Sequence, residues 1–498
     1  MLRRILFTPI ARKISRGLYL QLQHSGRLQE ELLMRFLRES AKTVYGKQAG
    51  FEKIRNYDDY RKALPAVSYE QVKPFINRIA AGESDVLWPG KPDYFALSSG
   101  TSSGIKHIPV TRESLQSQKR GRLFHAANFT ARLGLGEVHD GNFILFADSH
   151  HFVNHGEIPS AAISAILSSN LPWYVKRRDF PSPETQQIKN YDEKIAAMIR
   201  ETAGQKITGI VALPPWLMMF LKRVPEISGK SFAETYPHFR LLSTSGMSFE
   251  PYKAAVQELI GKPFAHVQTY PASEGFFGFQ YELNDPSILL LPANGIFFEF
   301  IPEEDLGSSS PRRFCLSEVE QNIRYGLVIT TNAGLWSYMP GDLVEFTSLQ
   351  PHKIRIIGRT GNMLNAFGEH LTTDECEMIL AQCCSEFQCS ISDFVLVPVM
   401  QQGNELPYHR WFIEFMKPPA AFPAFAAKLD ELLVNKNLCY RDLIRGKAIQ
   451  ELHINVVPAG SFAKLMEQKG KTGTQQKTKR FPDTESVRFL ENYSRRSE

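Results

Sequence analysis

The chain has 498 residues, of which 43% are hydrophobic and 11% aromatic. That composition excludes a disordered protein, because so much apolar surface buries itself. With 58 basic and 52 acidic residues the net charge is +6, too dilute over this length for a nucleic-acid footprint. The length suits one large domain carrying a smaller one.

Residues 1–75 read as helical. The first stretch, MLRRILFTPIARKISRGLYLQL, is basic and has no acid before Glu30. Three readings stay open for it: a transit peptide, a membrane-surface helix, or an ordinary first helix whose charged face meets water. In LQEELLMRFLRESAKTVYG the apolar positions recur at three-and-four spacing, with Gly46 as the expected stop. No apolar run reaches the roughly 18 residues of a membrane span.

From about residue 92, β-rich runs (GNFILFAD, ITGIVALP, FRLLSTSG, AHVQTY) alternate with helical ones (ETQQIKNYDEKIAAMIRETAG, EPYKAAVQELIG). This predicts βαβ units and a mainly parallel sheet. Between 288 and 357 the runs ILLLP, GIFFEFI, YGLVITT, DLVEFTS and KIRIIG follow one another, which predicts an antiparallel sheet or small barrel. Beyond Gly358–Asn362 an α+β unit follows, with a helix from Thr373, strands at FVLVPVM and RWFIEFM, and a helix through FAAKLDELLVNKN. The expected division is 1–357 and 358–498, with a hinge near 358–362. The fold class is α/β, with a smaller α+β C-terminal domain.

The densest chemical signal is Ser98–Gly104, composed wholly of Ser, Thr and Gly after the β-prone run Tyr94–Leu97. Glycines admit a ligand close to the backbone, and clustered N–H and O–H donors suit phosphate oxygens. Lys106 adds a cation. The loop is not a Walker A motif, and the decoys Gly229-Lys230-Ser231 and Gly470-Lys471-Thr472 also lack the first glycine. His151 and His155 stand four apart, but the segment lacks the glutamate of H-E-x-x-H. Lining a substrate pocket or plain structural use suits them better than zinc. Leu213–Leu221 reads as core packing or a pocket wall.

Tyr270-Pro271-Ala272-Ser273-Glu274-Gly275 follows a predicted strand, where open α/β sheets place ligands. Glu274 suits Mg²⁺, which often takes one or two carboxylates plus substrate phosphates. Asp342, in Tyr338–Asp342, suits a ribose diol. The six cysteines include no C-x-x-C pair, so neither a zinc ribbon nor a thioredoxin motif is present. They read as free thiols in a reducing, cytoplasmic setting.

In order and spacing these blocks resemble the acyl-adenylate-forming superfamily, and more closely the Gretchen Hagen (auxin-responsive promoter) family of acyl-acid amido synthetases. The resemblance is carried by AKTVYGKQAGF, LPAVSYEQVK, LSSGTSSGIKHIPVT, YPASEG, YGLVITTNAGLWSYMPGDLVEF and GRTGNMLNAFGEHLTTDECE. It implies that Ser98, Ser99 and Thr101, with Gly100 between them, bind ATP phosphates. Tyr270, Ser273 and Glu274 would lie by the adenine and the metal–phosphate region, with Thr330 near the acyl-adenylate. Asp342 would bind ribose hydroxyls, and Arg359 would support the nucleotide at the domain boundary. The tail GTQQKTKRF is similar to the family's G-Q-x-K-x-P-R block, which places the mobile lysine at Lys477.

There are departures. Ser337 and Met339 stand where the family usually has arginines, Thr474 replaces the tail glycine, and Lys479 replaces the tail proline and rivals Lys477. The implied activity uses ATP and Mg²⁺ to join a small carboxylic acid to an amine such as an amino acid. A thioester-forming ligase and a catalytically idle binding protein are the alternatives. The attack of an amine on acyl-AMP requires no nucleophilic Ser or Cys.

Overall fold

The computed structural model describes residues 2–99, 105–146, 152–171, 179–188, 190–246, 249–306, 308, 310–359, 363–364, 366–367, 369, 371–400, 406–445, 448–469, 478, 480–482 and 484–494. Its backbone is a twelve-stranded sheet made of two unlike halves. One half is parallel and runs from Asp179–Phe180 through Asn142–Leu145, Ile207–Ala212 and Leu241–Ser245 to Ala265–Pro271. Apart from Asp179–Phe180 these are the β-rich runs that alternate with helices in the sequence, and the central strands Ile207–Ala212 and Leu241–Ser245 are buried along nearly their whole length, as their apolar character requires.

The sheet then turns antiparallel, through Phe276–Glu282, Asp285–Leu290, His352–Arg359, Asp342–Leu349, Arg324–Thr331 and Ile296–Pro302. The consecutive strands therefore continue the parallel sheet instead of standing apart from it. A four-stranded sheet carries the hairpin Tyr94–Ser99/Ile105–Val110 beside Ile158–Ala162 and Val153–His155.

The helices mostly follow the periodicity. Helix α1 (Leu2–Leu22) and the helix Ser25–Ser40 pack at the N-terminus. Gly46 is not the stop: the second helix ends at Ser40, and Gly46 sits in the short helix Val44–Gln48 that Thr43 caps. A Cβ at Gly46 would lie 2.1 Å from the Ser40 carbonyl oxygen, so the glycine is needed for close approach. The predicted helix through 184–204 is two helices, Pro183–Gln186 and Tyr191–Thr202, because Asn190 caps the second by accepting from the Glu193 amide at 3.0 Å. Leu213–Leu221 opens the helix Pro214–Ser228, and Trp216, Leu217, Phe220 and Leu221 are core.

The C-terminal part has its own sheet, Ser390–Val399, Tyr408–Lys417 and His453–Val457, and its own core around Phe394, Trp411, Phe425 and Leu429. No helix among the described residues is long and apolar enough to cross a membrane.

His125 is buried between the rings of Phe129 and Phe279, and its Nε2 has no hydrogen-bond partner among the described residues. Burial pushes its pKa from 6.5 down to about 4. The unfolded chain takes up a proton there that the folded chain refuses, so stability is full above the unfolded value and is lost as pH falls. Urea midpoints should drop between pH 6.5 and about 4, and His125→Leu should flatten that limb; an unchanged slope would contradict a neutral buried imidazole.

Candidate active site

The motif blocks, far apart in the chain, interlock through hydrogen bonds. The Tyr270 hydroxyl, at the carboxyl end of the last parallel strand, donates to Asp342 Oδ2 at 2.5 Å. Asp342 is 9% exposed and opens an antiparallel strand in which it faces Arg359. Ser273 and Glu274, both half-buried, lie in a turn closed by the Ala272 amide on the Gly275 carbonyl at 2.8 Å. Gln118 Nε2 donates to the Ala272 carbonyl at 2.9 Å.

The other blocks join the same assembly. Backbone bonds of 2.8 Å run from the Val67 amide to the Ser337 carbonyl and from the Met339 amide to the Val67 carbonyl. Tyr69 accepts the His107 amide at 2.8 Å, which ties LPAVSYE to the hairpin of strands Tyr94–Ser99 and Ile105–Val110. In that hairpin Ser98 is half-buried and pairs with Lys106, whose ammonium lies 5.6 Å from the Tyr69 ring centre. Thr111 Oγ1 donates to the Asn332 carbonyl at 2.7 Å, and Tyr45 stacks on Trp336.

Beneath this assembly lies a buried polar network. Glu299, fully buried, faces the Arg313 guanidinium at 3.3 Å. Arg313 Nη1 donates to Ser337 Oγ at 2.9 Å, and Nη2 donates to the carbonyls of Arg61 and Leu64. Ser337 Oγ is 2.9 Å from Glu299 Oε2 and 3.0 Å from the Tyr60 hydroxyl. Ser337 also adopts a φ of +44°, uncommon for a residue with a side chain. Thr330 is fully buried, its hydroxyl 2.7 Å from that of Tyr60 and accepting the Ser337 amide at 2.9 Å. Burial pushes the Glu299 carboxyl up, with Arg313 pulling the other way, and burial raises the Tyr60 hydroxyl.

Of the sequence-predicted residues, the structure thus brings Tyr270 and Asp342 into contact and sets Arg359 opposite Asp342. The side chains of Ser99 and Arg359, and residues Gly100, Thr101 and Lys477, lie outside the described residues. His151 also lies outside them. His155 is in a strand, its ring 3.8 Å from that of His107, and no cluster of metal-ligating side chains occurs among the described residues.

Sequence reasoning missed Tyr60, Glu299 and Arg313, for which no local motif exists. It also missed how the tail is anchored. Asp393 receives both Thr478 Oγ1, at 2.5 Å, and the Arg480 guanidinium, while Arg480 Nε meets Glu377 at 3.0 Å. Arg480 is 4% exposed, and its side chain is also reached by the hydroxyl of Tyr252 from the N-terminal part.

Three family models match in chain order: the GH3 family N-terminal domain at 15–213, its central domain at 289–359 and its C-terminal domain at 374–486. The chain belongs to the GH3 family. A jasmonoyl–L-amino acid synthetase of Nicotiana attenuata is 24% identical over 64% of this chain and 66% of its own length. A probable indole-3-acetic acid-amido synthetase of Oryza sativa subsp. japonica is 23% identical over 88% and 85%. Among solved structures, the GH3.15 acyl acid amido synthetase superposes with a TM-score of 0.77 at 18% identity, covering 95% of this chain and 96% of that one. A 2-hydroxyisobutyryl-CoA ligase in its postadenylation state reaches 0.59 at 15% identity, over 97% and 92%. The adenylate-forming fold expected from the sequence is thereby borne out.

Removing one partner of a buried ion pair strands the other charge, which costs about 3–5 kcal/mol. Arg313→Met should lower stability in urea by that order, and Glu299→Leu added to it should restore part of the loss. Purely additive losses would show that the two side chains are not coupled.

Proposed function

We propose that the protein is an ATP-dependent acyl-acid amido synthetase, which activates a carboxylic acid as acyl-AMP and passes the acyl group to an amino acid or similar amine. The observation that carries this reading is the Tyr270–Asp342 hydrogen bond, which joins the YPASEG and PGD blocks at the carboxyl end of the parallel strands. That is where sheets of this kind take ligands. The relatives named as jasmonoyl–amino acid and indole-3-acetic acid-amido synthetases support an amine acceptor over a thiol.

The chemistry suits a site that works by positioning. A carboxylate oxygen attacks the α-phosphorus of ATP and the bond to pyrophosphate breaks. The amine nitrogen then attacks the acyl carbonyl, the bond to AMP breaks, and the amine proton leaves to solvent. Charge collects on phosphate oxygens, so fixed donors and cations lower the barrier.

In this reading Ser98, Ser99, Gly100 and Thr101 hold phosphates, Ser273 binds the nucleotide beside Glu274, and Asp342 accepts from the ribose hydroxyls. Tyr270 lies by the adenine, Thr330 backs the acyl-adenylate, and Arg359 supports the nucleotide. The donors fit Mg²⁺, since the half-buried Glu274 carboxylate and neighbouring hydroxyls offer only hard oxygen. Bound there, Mg²⁺ neutralises phosphate charge. Residues 358–498 act as the mobile unit that carries Lys477, a division supported by the separate sheet at 390–457 and its core, while Gly358 and Arg359 themselves close the strand His352–Arg359 of the main sheet. Asp393 and Arg480 hold the segment just after Lys477. The described cysteines are free thiols, which suits a reducing cytoplasm.

Two experiments test the reading. A panel of aromatic, indolic and fatty acids should contain at least one that drives exchange of labelled pyrophosphate into ATP without any amine; none doing so while ATP binds would refute adenylation. In the same assay Asp342→Ala should cost about 1.5–3 kcal/mol, roughly ten- to hundredfold in kcat/KM for ATP.

The second separates the half-reactions. Lys477→Ala should slow acyl-AMP formation by about 10²–10³-fold, yet convert a supplied acyl-adenylate and amine to amide near the native rate. Lys479→Ala should be mild in both. A crippled Lys479→Ala beside a mild Lys477→Ala would move the mobile lysine by two residues.

A further inference from the structure

Helix α1 has two faces of different chemistry. Its inner face is built into the body: Ala11, Leu18 and Leu22 are buried, and Leu18 and Leu22 pack with Phe276, Phe279 and Leu289. Near its start Arg4 reaches Glu137 at 3.5 Å and the Phe7 ring meets that of His139 at 4.6 Å. The helix is therefore held in a set orientation, and its outer face is presented to whatever surrounds the protein.

That outer face combines exposed apolar side chains with unpaired cations. Ile5, Leu6, Ile10, Tyr19 and Leu20 are 57, 62, 53, 53 and 52% exposed. At 100° per residue they share one side of the helix with Arg12, Lys13 and Arg16, all exposed. None of these three cations has an acidic partner among the described residues, and α1 contains no acidic residue at all. The open apolar side chains form two groups, Ile5, Leu6 and Ile10 towards the start of the helix and Tyr19 and Leu20 towards its end, with the cations between them, and large apolar side chains left open together mark an interaction surface.

We propose that this face docks the enzyme on an anionic lipid surface. Charge complementarity selects the occupant. The cations match phosphate headgroups, and the apolar side chains on either side of them enter the acyl boundary, which lies only about 5–10 Å deep for an interfacial helix. Long basic side chains keep their charge at the headgroups while their stems lie along apolar surface. A second copy of the same face would instead bring like charges together. The helix lies on the membrane and does not cross it. The proposal does not depend on the adenylation chemistry.

Flotation of the full-length protein with vesicles tests it. The protein should float with phosphatidylcholine mixed with phosphatidylglycerol and stay behind with phosphatidylcholine alone. Rising salt should release it, since the screening length falls to about 3 Å at 1 M. Arg12→Gln, Lys13→Gln and Arg16→Gln together should lower the partition by about a hundredfold, because each cation near an anionic surface is worth roughly a factor of five. Leu6→Ser with Ile10→Ser should abolish flotation, and circular dichroism should stay native because both side chains are exposed. Equal partition into both vesicle types, flotation unaffected by either set of variants, or no flotation would overturn the proposal. So would a concentration-dependent dimer that Leu6→Ser disrupts, which would make the occupant a second copy.

Discussion

The buried pair of Glu299 and Arg313 is the constraint on which the site depends. Arg313 reaches three separate segments: the Ser337 hydroxyl, the carbonyls of Arg61 and Leu64, and the Glu299 carboxylate. A buried pair of this kind contributes little net stability against an apolar replacement, but it tolerates few alternative arrangements. Here it holds Ser337 at a φ of +44°, a conformation that costs of order 1–3 kcal/mol and persists only when its surroundings over-determine it. From that point the chain runs through Tyr338, Met339 and Gly341 to Asp342. The angle of this short run sets where the Asp342 carboxylate meets Tyr270.

The same network accounts for a departure from the family pattern. The resemblance leads to an expected arginine at position 337, and a serine cannot supply a guanidinium. In this chain Arg313, 24 residues upstream, donates to that serine instead. The buried region holds a cation beside Glu299 although position 337 supplies none. Charge balance in a dry interior belongs to the space and not to a particular position in the sequence, so a departure from a motif need not mean loss of function.

Much of the fold was legible because its signals are local. The parallel strands are short apolar runs between amphipathic helices, and the helix from Thr373 begins with a complete capping box of Thr372 and Glu375. The site was legible only as a list of motifs, since the order of blocks says nothing about which side chains touch. That Tyr270 meets Asp342, 72 residues away, depends on the sheet switching from parallel to antiparallel between them. Gly46 was misread because a helix-ending glycine and a glycine admitting a carbonyl look alike in sequence. Arg313 and Glu299 were invisible for the opposite reason: lone charged residues are usually solvated, and only tertiary packing shows these two to be buried.

The distribution of buried and open groups also bears on where selectivity resides. The hydroxyl of Thr330 is spent on Tyr60 and the Ser337 amide, and the side chain is fully buried. Its hydroxyl is held inside that network, so in the proposed reading its influence on an acyl-adenylate acts through the shape of the adjoining backbone. Asp342, by contrast, reaches the surface at 9% exposure beside the bond it accepts from Tyr270. In the proposed reading, nucleotide recognition rests on a few rigidly held polar groups. In the same reading, discrimination among acyl chains rests on apolar packing, where a methylene is worth only about 1–3 kcal/mol. That division explains why the motifs announce an activated carboxylate while leaving the acid itself unnamed: the polar contacts common to every adenylation are built from fixed residue types, and the walls that choose among acids are built from packing alone.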